Sequence, residues 1–245
     1  MSFIPGIALI FNNRKNREGT DLDVKLLQTT LENINVTVVE PFNFGDDAEE
    51  EECNVLQVIN NFIDRTNFDN YQYVIIAFFS HGTVDEQILK GKQCAVIQKK
   101  ILNPLFLVPN LQGKLKWLII QACAGLYDCH LARSDGTQKQ REQQKYYLKS
   151  FSSHEGCKSY RHLDEKDQPL GSIYIHCLCE NLNKYAATKD VLSILYATRE
   201  SIQNYYEAYF GKEDEKEHLT QEPRNTYNFA QKFYFTCGFE QRDEC

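Results

Sequence analysis

The 245-residue sequence has no long hydrophobic stretch. Runs such as Val74 to Phe79 and Leu115 to Ile120 fall far short of the ~20 apolar residues that cross a bilayer as a helix, so no membrane partner is expected. The start, Met1-Ser2-Phe3-Ile4-Pro5, lacks both a basic region and a small-residue cleavage site, which argues against a secretory signal. With 6 prolines and 12 glycines, the chain is too poor in both to be low-complexity or collagen-like. Positive charge is in deficit: 27 Lys and Arg against 34 Asp and Glu leave a net charge of −7. Nucleic acid is therefore not an expected partner, because phosphate neutralisation needs a basic surface. There are 9 cysteines but no Cys-x-x-Cys, so neither a zinc ribbon nor a thioredoxin-like motif has support, and no metal or other cofactor is expected. An odd cysteine count without a leader predicts free thiols in a reducing, cytoplasmic setting.

What is present is an alternation of short apolar runs with segments of helical period. Ile7 to Phe11, Val36 to Val39, Tyr73 to Phe79, Leu115 to Ile120 and Tyr146 to Phe151 read as strands. Leu22, Leu26, Leu27 and Leu31 fit a helix, with Thr20 and Asp23 as a capping pair at its start. Further helices are predicted around Val55 to Ile63, Tyr174 to Tyr185 and Val191 to Ile202, and a last strand at Phe233 to Phe235. Runs without polar alternation are what strands covered on both faces look like. The strand and helix order therefore predicts an open α/β sheet, whose ligands bind beyond the carboxyl ends of its strands. No repeat or hinge divides the chain. The polar stretch from Leu126 to Lys158 stands apart and reads as a long functional loop.

Two of the buried runs end in chemistry. Tyr73 to Phe79 leads into Ser80-His81-Gly82, and Trp117 to Ile120 leads into Gln121-Ala122-Cys123-Ala124-Gly125. Singly, a strand-end cysteine is more often a small buried hydrophobe, and a lone histidine more often structural. Together, at the edge where such a sheet carries its site, thiol and imidazole form a nucleophile and its base. The imidazole draws the proton from a thiol whose ordinary pKa of about 8.5 leaves little thiolate at neutral pH. Gly82 leaves room for a substrate backbone, and its N–H with that of Cys123 suits an oxyanion.

These motifs resemble the caspases, the cysteine proteases that cut after aspartate. The likeness extends along most of the chain: Arg17-Glu18-Gly19-Thr20-Asp21-Leu22-Asp23, Ser159-Tyr160-Arg161, Gly171-Ser172, Gln221-Glu222-Pro223 and Lys232-Phe233-Tyr234-Phe235 each match a family segment, in order. The resemblance implies a three-layer α/β/α sandwich with a mostly parallel central sheet. It implies a single catalytic domain over 1–245: a large-subunit region to about 135, a linker of about 136–150 and a small-subunit region from about 146.

The resemblance also implies roles. Cys123 attacks the scissile carbonyl and His81 protonates the leaving amine. Arg17, Gln121 and Arg161 line the pocket for the P1 aspartate, and Tyr160 walls the P2 side chain. A guanidinium grips a carboxylate with two charge-assisted hydrogen bonds, a geometry lysine does not reproduce. An uncharged P1 residue would leave that arginine desolvated and unpaired at a cost of about 3–5 kcal/mol, more than a hundredfold in rate.

Caspase zymogens mature by cleavage after aspartate, which points to Asp135 in Ala132-Arg133-Ser134-Asp135-Gly136, with Asp128 as runner-up. The short lead before the first strand predicts an executioner-like member. The family implies peptide or protein substrates with P1 Asp, and a homodimer, or a heterodimer with another caspase, through the strand around Phe233 to Phe235. It further implies an upstream activating caspase and inhibitor-of-apoptosis proteins as partners. Ala124 stands where the family usually has a larger residue, the interval from His81 to Cys123 is shorter than its ~50 residues, and the Asp-Gly after the histidine motif is missing. These departures support an alternative: a weak or inactive homologue that regulates an active caspase by dimerisation or competition. A metacaspase-like preference for Arg or Lys is disfavoured, since its pocket would need carboxylates.

Overall fold

The computed structural model describes residues 2–15, 17–44, 55–80, 87–88, 95–122, 145–153, 161–163, 169–210 and 221–240. Its centre is a seven-stranded sheet in the order β11-β8-β7-β4-β1-β2, with β3 also paired to β1. The strands are β1 (Gly6–Asn13), β2 (Val36–Val38), β3 (Phe42–Phe44), β4 (Tyr73–Phe79), β7 (Leu115–Gln121), β8 (Tyr147–Phe151) and β11 (Arg224–Tyr227). Every pairing is parallel except that of β8 with β11.

The uninterrupted apolar strands divide their side chains between two cores, because successive residues of a strand point to opposite faces. Ala8, Ile10, Tyr73, Ile75, Ala77, Leu115, Trp117 and Ile119 face one core. There they meet α1 (Thr20–Asn33), α4 (Ile173–Tyr185) and α5 (Val191–Phe210). Ile7, Leu9, Phe11, Val74, Ile76, Phe78, Leu118 and Ile120 face the other. That side is closed by α2 (Val55–Arg65) and by the short α3 (Asn103–Phe106) with its neighbouring turns. The molecule is therefore the expected three-layer α/β/α sandwich. Several polar groups inside it are paired: the Trp117 indole N–H donates to Ser150 Oγ at 2.9 Å. The buried Lys116 Nζ donates to the carbonyls of Leu111 and Lys114 at 2.7 and 2.9 Å. Among the described residues three small ribbons stand outside the sheet, β5 (Gln87–Ile88) with β6 (Ala95–Val96), β9 (Arg161–Leu163) with β10 (Pro169–Ser172), and β12 (Phe233–Tyr234) with β13 (Gly238–Phe239).

Three sequence expectations need correction. Leu22 and Leu26 are 49% and 37% exposed, and α1 instead turns Asp23, Val24, Leu27, Thr30 and Leu31 inward. A polar residue can occupy that stripe where it finds a hydrogen-bond partner, and Asp23 and Thr30 both do, on Ser172 and Asn183. Thr20 and Asp23 do not cap α1. Gly19 is the N-cap, in the left-handed region with φ 79°, while Thr20 Oγ1 donates to Asn12 Oδ1 at 2.8 Å and Asp23 reaches away to Ser172. Finally, Phe233 to Phe235 is not a strand of the main sheet. β12 (Phe233–Tyr234) pairs with β13 (Gly238–Phe239), and both phenylalanine rings are buried against Tyr73 of the chain's own core. Among the described residues, β11 is the end strand of the main sheet beyond β8. Among the described residues no helix is long and apolar enough to cross a membrane.

Candidate active site

The carboxyl ends of β1, β4, β7 and β8 converge on one edge of the sheet. Register sets this: Asn12 lies beside Phe79, and Phe79 beside Gln121. The edge is drawn together past the strand ends, where Ser80 N–H donates to the Gln121 carbonyl at 3.1 Å and Ser152 N–H to that of Ile120 at 2.9 Å. Chain continues from Ser80 into His81 and from Ala122 into Cys123, so both motifs leave the sheet from neighbouring, parallel, in-register strands.

Arg17 returns to this edge from the loop after β1. Its side chain is buried, and Nη1 donates to the Ser80 carbonyl at 2.5 Å while Nη2 donates to that of Gln121 at 3.3 Å. One planar guanidinium thus bridges the residue just after β4 and the last residue of β7, a span suited to its fixed fork of donors. The loop that carries it is itself fastened. Fully buried Asn12 donates from Nδ2 to Asp21 Oδ1 at 2.7 Å and to Asn43 Oδ1 at 2.9 Å, and accepts from Thr20. Arg14 adds an exposed ion pair to Asp21 at 3.0 Å, worth little alone.

The residue before Cys123 is held from the β8 side. Ala122 N–H donates to Ser152 Oγ at 3.3 Å, and the Ala122 carbonyl accepts from the hydroxyls of Ser152 at 3.1 Å and Ser153 at 3.4 Å. Gln221 Nε2 then donates to the Ser152 carbonyl at 2.7 Å. All four residues are buried, so these bonds act in a low dielectric where they hold geometry best.

Of the residues singled out from sequence, Arg17 and Gln121 are brought together directly. Arg161 lies on β9, and its cross-strand neighbour on β10 is Ser172; only its backbone register is described. His81, Gly82, Cys123, Tyr160 and Asp135 lie outside the described residues, as does Asp128. Sequence reasoning overlooked Asn12, Ser152 and Ser153. Each follows the rule that named the others, since all sit just at or after the carboxyl end of a buried strand.

A mostly parallel α/β/α sandwich whose β4 and β7 lead in sequence into Ser-His-Gly and Gln-Ala-Cys, with a buried arginine on the carbonyls of Ser80 and Gln121, has the makings of a caspase-type cysteine protease. Residues 5–234 match the family described as the caspase domain of the C14 peptidases, and the chain belongs to that family. Among curated relatives, it is 28% identical to caspase-3 of Mus musculus over 221 residues, covering 83% of this chain and 74% of the relative. It is 29% identical to caspase-3 of Felis catus, with the same coverage. Among solved structures, caspase-1 from Spodoptera frugiperda matches with a TM-score of 0.72 at 20% identity, over 100% of this chain and 94% of that one. That likeness establishes the shared fold.

Proposed function

We propose that the protein is an endopeptidase that cleaves after aspartate and acts in apoptosis. The observation that carries this reading is Arg17: a buried guanidinium bridging the residues that lead into His81 and Cys123. A P1 carboxylate bound there would sit one short side chain from the reacting carbonyl. In this reading Cys123 is the nucleophile, His81 protonates the departing amine, and the backbone N–H groups of Gly82 and Cys123 stabilise the oxyanion. Gln121 and Arg161 complete the pocket and Tyr160 flanks P2.

The chain acts as one catalytic domain, a zymogen whose large-subunit region (to about 135) and small-subunit region (from about 146) are separated by a cut after Asp135. The family's dimerisation is assigned to the β11 edge, with a second copy or another caspase as partner. An upstream caspase would make the cut, inhibitor-of-apoptosis proteins would restrain the product, and the cytoplasm is where both act. Ala124 beside the nucleophile favours a second reading, a poorly active homologue that binds an active caspase.

Hydrolysis of a fluorogenic tetrapeptide amide ending in Asp, run against Cys123→Ala, separates the two. Loss of at least about 10³-fold in rate in the variant is expected for nucleophilic catalysis. Equal signals from both proteins would remove the enzyme reading and leave the binding one.

A further inference from the structure

We infer that Asp23 is a positioning residue that locks the two arginine-bearing segments of the P1 pocket to each other; this rests on the reading of Arg17 and Arg161 given above. The Arg17 carbonyl accepts the Thr20 N–H at 3.1 Å, which seats Arg17 against the first turn of α1. Asp23, within that opening part of the helix, is turned inward and 2% exposed. Its Oδ1 accepts the Ser172 N–H at 2.7 Å, and its Oδ2 accepts the Ser172 hydroxyl in a short bond. Ser172 is in turn the cross-strand neighbour of Arg161 in the β9–β10 ribbon. One carboxylate therefore joins the segment carrying Arg17 to the segment carrying Arg161, which are otherwise far apart in sequence.

Three local features yield to this contact. Ser172 is the N-cap of α4, where a serine hydroxyl ordinarily accepts from the helix's own N–H groups. It makes no such cap and donates to Asp23 instead. Asp23 forgoes a capping role in α1 and is carried into the apolar interface, where a carboxylate is costly without paired donors. Gly171 has φ +97°, and a Cβ built on it would stand 2.6 Å from Asp23 Oδ1. Glycine alone admits the carboxylate there. Behind the pair, the charge of Asp23 is felt at Cys179 of α4, whose thiol is pushed up to about 12, first by burial and further by that charge.

The test is steady-state kinetics of the full chain and of Asp23→Asn, Ser172→Ala and the double variant, using tetrapeptide amides ending in Asp and in Glu. Iodoacetamide, which carries no P1 group, reports Cys123 reactivity by site-resolved mass spectrometry. For Asp23→Asn the expected result is a KM for the Asp peptide raised about tenfold, kcat within twofold, and a reduced preference for Asp over Glu. Alkylation of Cys123 should proceed at the unmutated rate. Ser172→Ala keeps the backbone bond and should show a smaller rise of about threefold, with the double variant no worse than Asp23→Asn alone. If both single variants fold and retain the original KM and Asp preference, or lose kcat and Cys123 reactivity together, the positioning role is overturned. An unmutated chain that cuts Asp and Glu peptides equally would instead overturn the pocket reading, and this inference with it.

Discussion

Arg17 and Lys116 are both buried cations, and their surroundings give them different work. Arg17 uses its fork to bind two strand-end carbonyls at once. In Arg17→Lys a single ammonium replaces that fork, so kcat/KM for an Asp peptide should fall by about a hundredfold or more while the fold persists. Steady-state kinetics beside a thermal melt checks this, and unchanged kinetics would show that Arg17 holds only the backbone. Lys116 sits within β7 with carbonyl partners and the Phe106 ring 5.5 Å away, and burial pushes its ammonium down from 10.5 to about 8. Between these two values the unfolded chain holds more protons than the folded one, so raising the pH favours folding. Relative to Lys116→Met, the chain should gain stability from pH 8 to 10.5, by at most about 3 kcal/mol, as read by urea unfolding. A flat difference over that window would refute the burial effect. At this scale the sequence identified Arg17, whose motif has a fixed spacing. It did not reveal Asn12 or Ser152, and it gave Asp23 a capping role in place of its contact with Ser172, because an ordinary polar residue acquires meaning only from the partner that folding brings to it.

Among elements, the strands were the most legible. β4 is predicted residue for residue, and β7 differs only by adding Gln121 at its end, since a run buried on both faces leaves a continuous apolar signature. α4 and α5 also follow their predicted periods. α1 does not, because its inward face includes Asp23 and Thr30, whose partners on and near α4 are some 150 residues away in sequence. α4 makes a further point about the thiols. Cys177 and Cys179 are buried and both pushed up to about 12, chiefly by desolvation, whereas Cys237 is exposed. At pH 8 a thiol of that kind is ionised in roughly one molecule in ten thousand. Iodoacetamide should therefore label Cys237 in the native chain and reach Cys177 and Cys179 only after unfolding. Native labelling of either α4 cysteine would show that the α1–α4 interface opens.

For the whole molecule, the question is which edge meets a second copy. β8 lies against one side of β11, and the other side borders no strand among the described residues. Asn228 exchanges bonds with Tyr146 and Tyr147. Since alternate residues of an antiparallel strand point their hydrogen-bonding groups the same way, Asn225 and Tyr227 direct theirs outward. If dimerisation uses this edge, Asn225→Pro should weaken self-association by about tenfold or more in sedimentation experiments and leave the melting of the monomer little changed. Dimerisation unaffected by the substitution would move the interface elsewhere.

The order of apolar runs, the motifs at their ends and the absence of a membrane-spanning helical run determined the layered α/β class and the family, because both depend on local period and fixed spacing. Tertiary structure decided which residues serve the edge where those motifs emerge. Arg17 meets Ser80 and Gln121, Ala122 meets Ser152 and Ser153, and Asp23 meets Ser172, each across a gap in sequence that no local pattern spans. The physical reason is that a buried polar group is costly unless its hydrogen bonds are met, and those partners exist only once the sheet and its two helical layers have closed.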